Sequence, residues 1–258
     1  MIIPALICGI VFTSCGSKIN EEDGITIITD TNYPTTIYCL SEETLTQKRN
    51  DFAERNPTLV STINQFGFCG WGEELINGAV SSGTFTEEEA IEAVMEFVAG
   101  NPETGVINLE NLHFERITRG PNSNSWVLVT ESQVINDIEV YKANIVFNVQ
   151  NQALYFCTGH YFPNVYVPER FNFDIERAKS KLLGKEVIHW GWAGQYSLGK
   201  IKTEHFQGCT TNLIIVPLIT EDKLELRVTW KIGVTLHYIY YVDVMTGEII
   251  QEEPTIIA

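Results

Sequence analysis

From Leu112 onward the apolar residues recur at every second position, and this change of period constrains the chain more than any other feature. A period of two places successive side chains on opposite faces of a strand. Runs of this kind cover 112–118, 125–133, 138–149 and 153–158, separated by RGPNSN, IND and QNQ. A second set covers 187–198, 213–219, 224–234 and 237–251. A helical segment precedes each set. In TFTEEEAIEAVMEFVAGNP (84–102), Thr86 and Glu89 are spaced as a capping box, and Ala90, Ile91, Val94, Met95 and Val98 make one apolar face. In NFDIERAKSKLLG (172–184), Ile175, Ala178 and Leu182 share a face and Gly184 is the stop. A further helix is expected over 41–56, capped by Ser41 and halted before Pro57, and the glycine-rich 66–83 reads as a connector.

The order is therefore helix, four strands, helix, four strands. The two sets also correspond in detail. ANIVFNVQNQALYF (143–156) lies over YIYYVDVMTGEIIQ (238–251), with Phe147 over Val242 and Asn148 over Asp243, 95 positions apart. An internal duplication of one helix plus an antiparallel sheet is the economical reading.

VDVMTGEI (242–249) carries an aspartate and a glycine in a setting that could pass for a site. Alternation puts Val242 and Val244 on one strand face and Asp243 on the other. Met245 to Glu248 then turn the chain, with Gly247 supplying positive φ and Asp243 bonding to turn amides. A general base would want a neighbouring carboxylate or histidine, and Ile249–Ile250 offers none. Asp243 and Gly247 are read as structural turn residues.

This strand–Asp–turn–Gly–strand ending resembles the C-terminal hairpin of a PepSY domain. Upstream, LHFERITRG, SWVLVTESQVINDIEVYKANIVFNVQNQALYFCTGHYFPNV and FNFDIERAKSKLL resemble the fungalysin/thermolysin propeptide motif and the helix after it. The pattern falls on Gln133, Val140, Ile145, Gly159, Tyr161 and Pro163, over about 86–252. Asn136-Asp137 stands where that family has an Asn-Gly turn, and Cys157 where it has an ordinary strand residue. The resemblance implies an α+β fold of two tandem helix-plus-antiparallel-sheet units, cystatin-like and PepSY-like, at 86–168 and 169–258. It also implies a module that folds or inhibits a zinc peptidase. His-Glu-x-x-His occurs nowhere in the chain, and only residues 251–258 follow Ile250, so a propeptide-like module without its peptidase is expected.

At the other end, MIIPALICGIVFTSC is too short an apolar run to span a bilayer and has the length of a signal-peptide core. Thr13 and Ser14 ahead of Cys15 resemble a bacterial lipobox, which makes 1–15 a lipoprotein signal and Cys15 the acylated residue. No Lys or Arg precedes the run. The segment 16–85 then holds a tether and the first helix, and Lys18 with Glu21, Glu22 and Asp23 resembles the export tag of Bacteroidota surface lipoproteins. Cys39, Cys69, Cys157 and Cys209 remain. An even number in an exported chain suggests two disulfides, with three pairings open, or else buried free thiols. Cys39–Cys69 with Cys157–Cys209 keeps each pair within one half of the chain.

With 33 acidic against 17 basic side chains, a net charge of −16, the chain is repelled by phosphate backbones, so no nucleic-acid partner is expected. QFGFCGWG (65–72) and Cys157-x-x-His160 are weak matches to a thiol nucleophile and a metal half-site, and no cofactor or metal is expected. Trp190 and Trp192 are candidate binding aromatics. The expected function is that of a non-enzymatic, lipid-anchored outer-membrane or surface protein whose partner is a secreted or envelope peptidase. The alternative is an adhesion or glycan-associated module that uses the tryptophans.

Overall fold

The computed structural model describes residues 18–22, 25–57, 59, 63–69, 85–120, 124–150, 153–191 and 194–255; for 18–22, 25–28, 153, 190 and 191 it describes the backbone alone. Cys15, the leader before it and residues 70–83 of the connector lie outside the described residues. No helix among the described residues is long and apolar enough to cross a membrane.

Strands β1 (Lys18–Glu22) and β2 (Ile25–Thr29) pair with each other, and β3 (Thr35–Tyr38) joins a sheet built much later in the chain. Helix α1 (Glu42–Arg55) starts at Ser41, whose side chain accepts from the Thr44 amide, and buries Leu45 and Phe52. Its last residue, Arg55, donates to both Glu103 carboxylate oxygens at 2.8 Å, which fixes the helix end on a buried acid. Helix α2 (Glu87–Gly100) has both halves of its capping box: the Thr86 amide donates to Glu89 at 2.8 Å, and the Glu89 amide to Thr86 at 3.2 Å. Its buried stripe is Ala90, Val94, Phe97 and Val98.

That stripe packs on an antiparallel sheet. The sheet contains β4 (Phe114–Arg119), β5 (Ser125–Thr130), β8 (Val146–Gln150) and β9 (Ala153–Thr158) in the order β4-β5-β8-β9; between β5 and β8 run the short β6 (Val134–Ile135) and β7 (Ile138–Glu139). Leu128, Phe147 and Val149 are buried under α2. The run 138–149, expected as one strand, is broken. Asn136 and Asp137 take φ of +48° and +62° to close the β6–β7 hairpin, and Lys142 at +55° turns the chain again before β8. The run's apolar residues serve two cores: Val140 bridges in parallel to Ile215 of the second sheet, while Phe147 and Val149 stay in the first.

Helix α3 (Ile175–Leu182) begins at Asp174 and is shorter than the expected 172–184. The two residues before its cap are engaged elsewhere: the Asn172 side chain donates to Met245 O and the Phe173 amide to Val244 O. Strands β10 (Glu186–Gly191) and β11 (Gly194–Lys200) form a separate hairpin where a single strand 187–198 was expected. The second sheet comprises β12 (Thr211–Ile219), β13 (Lys223–Val234), β14 (Tyr238–Asp243) and β15 (Ile249–Pro254) in chain order. One edge of β13 is shared, with β14 pairing along Thr229–Val234 and β3 along Lys223–Leu226.

The architecture is mixed α+β with mostly antiparallel sheets. Two equivalent helix-plus-sheet units are not shown by it, because the second sheet takes β3 from the N-terminal segment and the β10–β11 hairpin has no counterpart in the first. The segment between β5 and β8 packs on the second sheet, where Ile138, Val140, Ala143 and the loop residue Phe162 meet Ile215, Leu224, Leu226 and Val228. On the same face of β13, Ile232 and Val234 pack with Ala178 and Leu182 of α3. The opposite face carries Glu225, Arg227 and Thr229, where two further features converge.

Candidate functional site

Asp243 ends β14 with its side chain fully buried. Oδ1 accepts from the Met245 amide at 2.7 Å and the Thr246 amide at 2.9 Å, and the Gly247 amide donates to the Asp243 carbonyl at 2.9 Å. Oδ2 accepts from the Tyr33 hydroxyl at 2.8 Å and lies 3.3 Å from Arg227 Nη1. Arg227 is held in turn by Glu225 at 2.6 Å, with Glu248 at 3.6 Å. Burial first, and then the Asp243 charge, drive the Tyr33 phenol far above its usual range, which keeps it a donor. A carboxylate bonded by two amides, a phenol and a guanidinium has no free face for proton abstraction. Its chemistry here is cohesion: it fastens the 243–247 turn to β13 and to the segment before β3. Sequence reasoning missed Arg227 and Tyr33; the only local signal was Lys223, Glu225 and Arg227 alternating with leucines and a valine.

Gly247 has φ of +69°, and a Cβ there would sit 2.5 Å from the Phe173 ring. The turn therefore needs glycine both for its backbone and for its clearance.

Gln133 and Tyr161 meet at a different place, while Val140 and Ile145 are core residues. The Gln133 side chain donates to Phe162 O at 2.7 Å and accepts from Phe162 N at 2.8 Å, while Tyr161 OH donates to Glu131 O at 2.7 Å. These bonds tie 131–135 to 161–162, and the Tyr161 amide ties to Thr104 O at 2.8 Å. Between the tied segments and the loop after Gly105 runs an open groove of about 480 Å³. Ile107 and Val134 line it and are 73% and 58% exposed, so two large aliphatic side chains stand in solvent beside one cavity. His113, Glu131 and Ser132 also line it. No hydrogen bond joins the side chains of His113, Glu131 and Ser132, so the groove offers shape and hydrogen-bonding groups and shows no assembled nucleophile.

The cysteines correct an expectation. In this structure the four described cysteines stand as free thiols, and the pairs Cys39–Cys69 and Cys157–Cys209 are not formed. Cys39 Sγ donates to Glu221 O at 3.5 Å and Cys209 Sγ to His205 O at 3.6 Å. The thiols that meet are Cys69 and Cys157, because Ile63 and Cys69, bridged to each other, pack into the core under α2, against which Cys157 of β9 also packs. Their mutual hydrogen bond, and then burial, raise the Cys157 thiol well above its usual range. His160 is the third member of this group. Its ring stacks on Phe68 at 4.6 Å, meets Phe162 edge-on at 4.8 Å and is hydrogen-bonded to the Cys69 backbone, while its Nδ1 is buried without a partner. No three metal-ligating side chains among the described residues are placed to hold an ion.

Burial holds His160 down to about 4. The unfolded ring titrates near 6.5, so the unfolded state takes up the proton first, and stability is lost as pH falls from about 6.5 to about 4. The wild type is expected to lose about 2–3 kcal/mol more than His160→Phe across that window. Urea unfolding of both proteins at pH 7 and pH 4 checks this, and superimposable acid slopes would refute it.

Of the aromatic candidates, Trp192 lies outside the described residues, and for Trp190 the description is of the backbone on β10. No observation favours a glycan platform.

No protein-family model matches the chain, and no curated protein does. A solved structure, the C-terminal domain of YpeB from Bacillus megaterium, is similar over 84% of this chain and 99% of that one, at 11% identity and a TM-score of 0.34. So loose a superposition carries no weight for fold or role, and the propeptide resemblance rests on the sequence motifs alone.

Proposed function

We propose that this chain is a non-enzymatic polypeptide-binding protein of the bacterial envelope, held by acylated Cys15, that restrains or helps fold a secreted peptidase in trans. The supporting observation is the groove. Gln133, Tyr161 and Phe162 build its wall, and Ile107 and Val134 stand exposed beside it. Next to His113 in the chain runs β4, which among the described residues is an edge strand paired with β5. An extended segment of the partner can add to β4 through main-chain bonds and seat an apolar side chain between Ile107 and Val134. Acting in trans, the module binds without the effective concentration of a tether, and its affinity is set by these contacts.

Purified protein is expected to leave casein and fluorogenic peptides uncut, with or without zinc. Its inhibition of a thermolysin-like peptidase from the same organism is expected to be micromolar at best. Ile107→Glu and Val134→Glu, both at exposed positions, should each weaken that inhibition about tenfold or more, roughly the 1–2 kcal/mol of one buried aliphatic contact, and leave Tm unmoved. Metal-dependent proteolysis that survives repurification would overturn the non-enzyme reading. Inhibition indifferent to both substitutions would remove the groove from it.

A further inference from the structure

We propose that Cys69 and Cys157 are a covalent cross-linking site, closed as a disulfide while the chain folds in an oxidising compartment. The two thiols are hydrogen-bonded to each other inside the core under α2, 88 residues apart in sequence (157 − 69). Their backbones are fixed independently. The Cys69 amide donates to Glu103 O at 2.8 Å and Cys69 bridges to Ile63, while Cys157 is held in β9 opposite Phe147. Thiols in mutual contact on two restrained backbones need only a small approach to bond. The other cysteines lack this relation, since Cys39 and Cys209 each bond to a carbonyl.

The chemistry is thiol–disulfide exchange with an acceptor disulfide, either an oxidoreductase's cysteine pair or oxidised glutathione. One protein thiol loses its proton and attacks an acceptor sulfur, which releases one acceptor thiol and leaves a mixed disulfide. The second protein thiolate attacks the protein sulfur of that intermediate and releases the other acceptor thiol. Two protein thiols are oxidised to one S–S bond, and one acceptor disulfide is reduced to two thiols. Cys69 is 3% exposed and Cys157 is half-buried, so only Cys157 offers a face to an oxidant or reductant once the protein has folded. The bond is therefore most readily made before the core closes. The inference rests on this geometry and is independent of the peptidase reading.

The test is refolding of the full chain in a reduced/oxidised glutathione buffer, then denaturation in excess iodoacetamide and non-reducing peptide mapping. The expected result is one linked peptide pair joining Cys69 to Cys157, with Cys39 and Cys209 alkylated. The refolded protein should melt on the order of 10 °C above protein refolded under reductant, as closure of a loop this long implies. That difference should persist in Cys39→Ala/Cys209→Ala and vanish in Cys69→Ala/Cys157→Ala. Full alkylation of Cys69 and Cys157, or a linked pair involving Cys39 or Cys209, would overturn the proposal. If the core double variant fails to fold, the peptide map of the wild type decides.

Discussion

Asp243→Ala is expected to destabilise the protein by about 3–5 kcal/mol, as urea unfolding would measure it. Turn bonding alone would set the cost near that of one or two lost hydrogen bonds, about 1–2 kcal/mol. The buried environment raises it. Removing this carboxylate takes the fully buried acid from Arg227, whose side chain is only 15% exposed, and leaves it Glu225 and the more distant, exposed Glu248; it also leaves the Tyr33 hydroxyl without its carboxylate partner. It also strips the Met245 and Thr246 amides of their acceptor. Breaking a buried pair from one side is costly because the surviving charge stays desolvated. The double variant Asp243→Ala/Arg227→Met should therefore lose less than the sum of the two single losses, by about 1–3 kcal/mol. Strict additivity, or a loss under about 1 kcal/mol for Asp243→Ala, would show that the cluster contributes no cohesion.

Gly247→Val should be comparably damaging, at about 3 kcal/mol or more, because two costs add. A β-branched residue at φ of +69° carries about 1–2 kcal/mol of backbone strain. Its Cβ then meets the Phe173 ring, and that ring has little freedom to withdraw. The Phe173 amide donates to Val244 O at 2.9 Å, and its carbonyl accepts from Trp230 Nε1 at 2.9 Å. Phe173→Ala in the Gly247→Val background should recover the steric part and leave the strain. If the second substitution recovers nothing, the clash was absorbed elsewhere and only the backbone cost is real.

These two residues also show where sequence legibility ended. The turn itself was readable, because Asp, Gly and the flanking alternation are local signals. So were the starts of α1 and α2, where Ser41, Thr86 and Glu89 act within four residues of themselves. What was not readable acts at a distance. Arg227 reads as the solvent side of a strand, and nothing near it announces that Tyr33, 194 positions earlier, will cover it (227 − 33). Cys69 was assigned to its sequence neighbour Cys39 because proximity in sequence stood in for proximity in space, whereas core packing brought it to β9. The run 138–149 looked like one strand because its apolar residues alternate. Positive φ at Lys142 breaks it, and that residue is not glycine. The groove had no composite signal at all: Gln133 and Tyr161 stood out through a resemblance, but Ile107 lies in a loop that no motif marked.

The shared edge of β13 has a kinetic corollary. Thr35 pairs with Leu226, and Tyr38 with Lys223, so closing this seam encircles 191 and 185 positions of chain (226 − 35 and 223 − 38). Loops of that size close slowly, and their contacts return nothing until the strands between them have already found their places. The earliest strand of the sheet is thus one of the last to be secured. A ribosome or translocon delivering the chain from its N-terminus would hold β3 waiting while more than two thirds of the protein emerges. Until Lys223–Leu226 arrive, that edge is an unpaired ribbon open to any other strand, and safe delivery depends on how quickly the late residues follow the early ones.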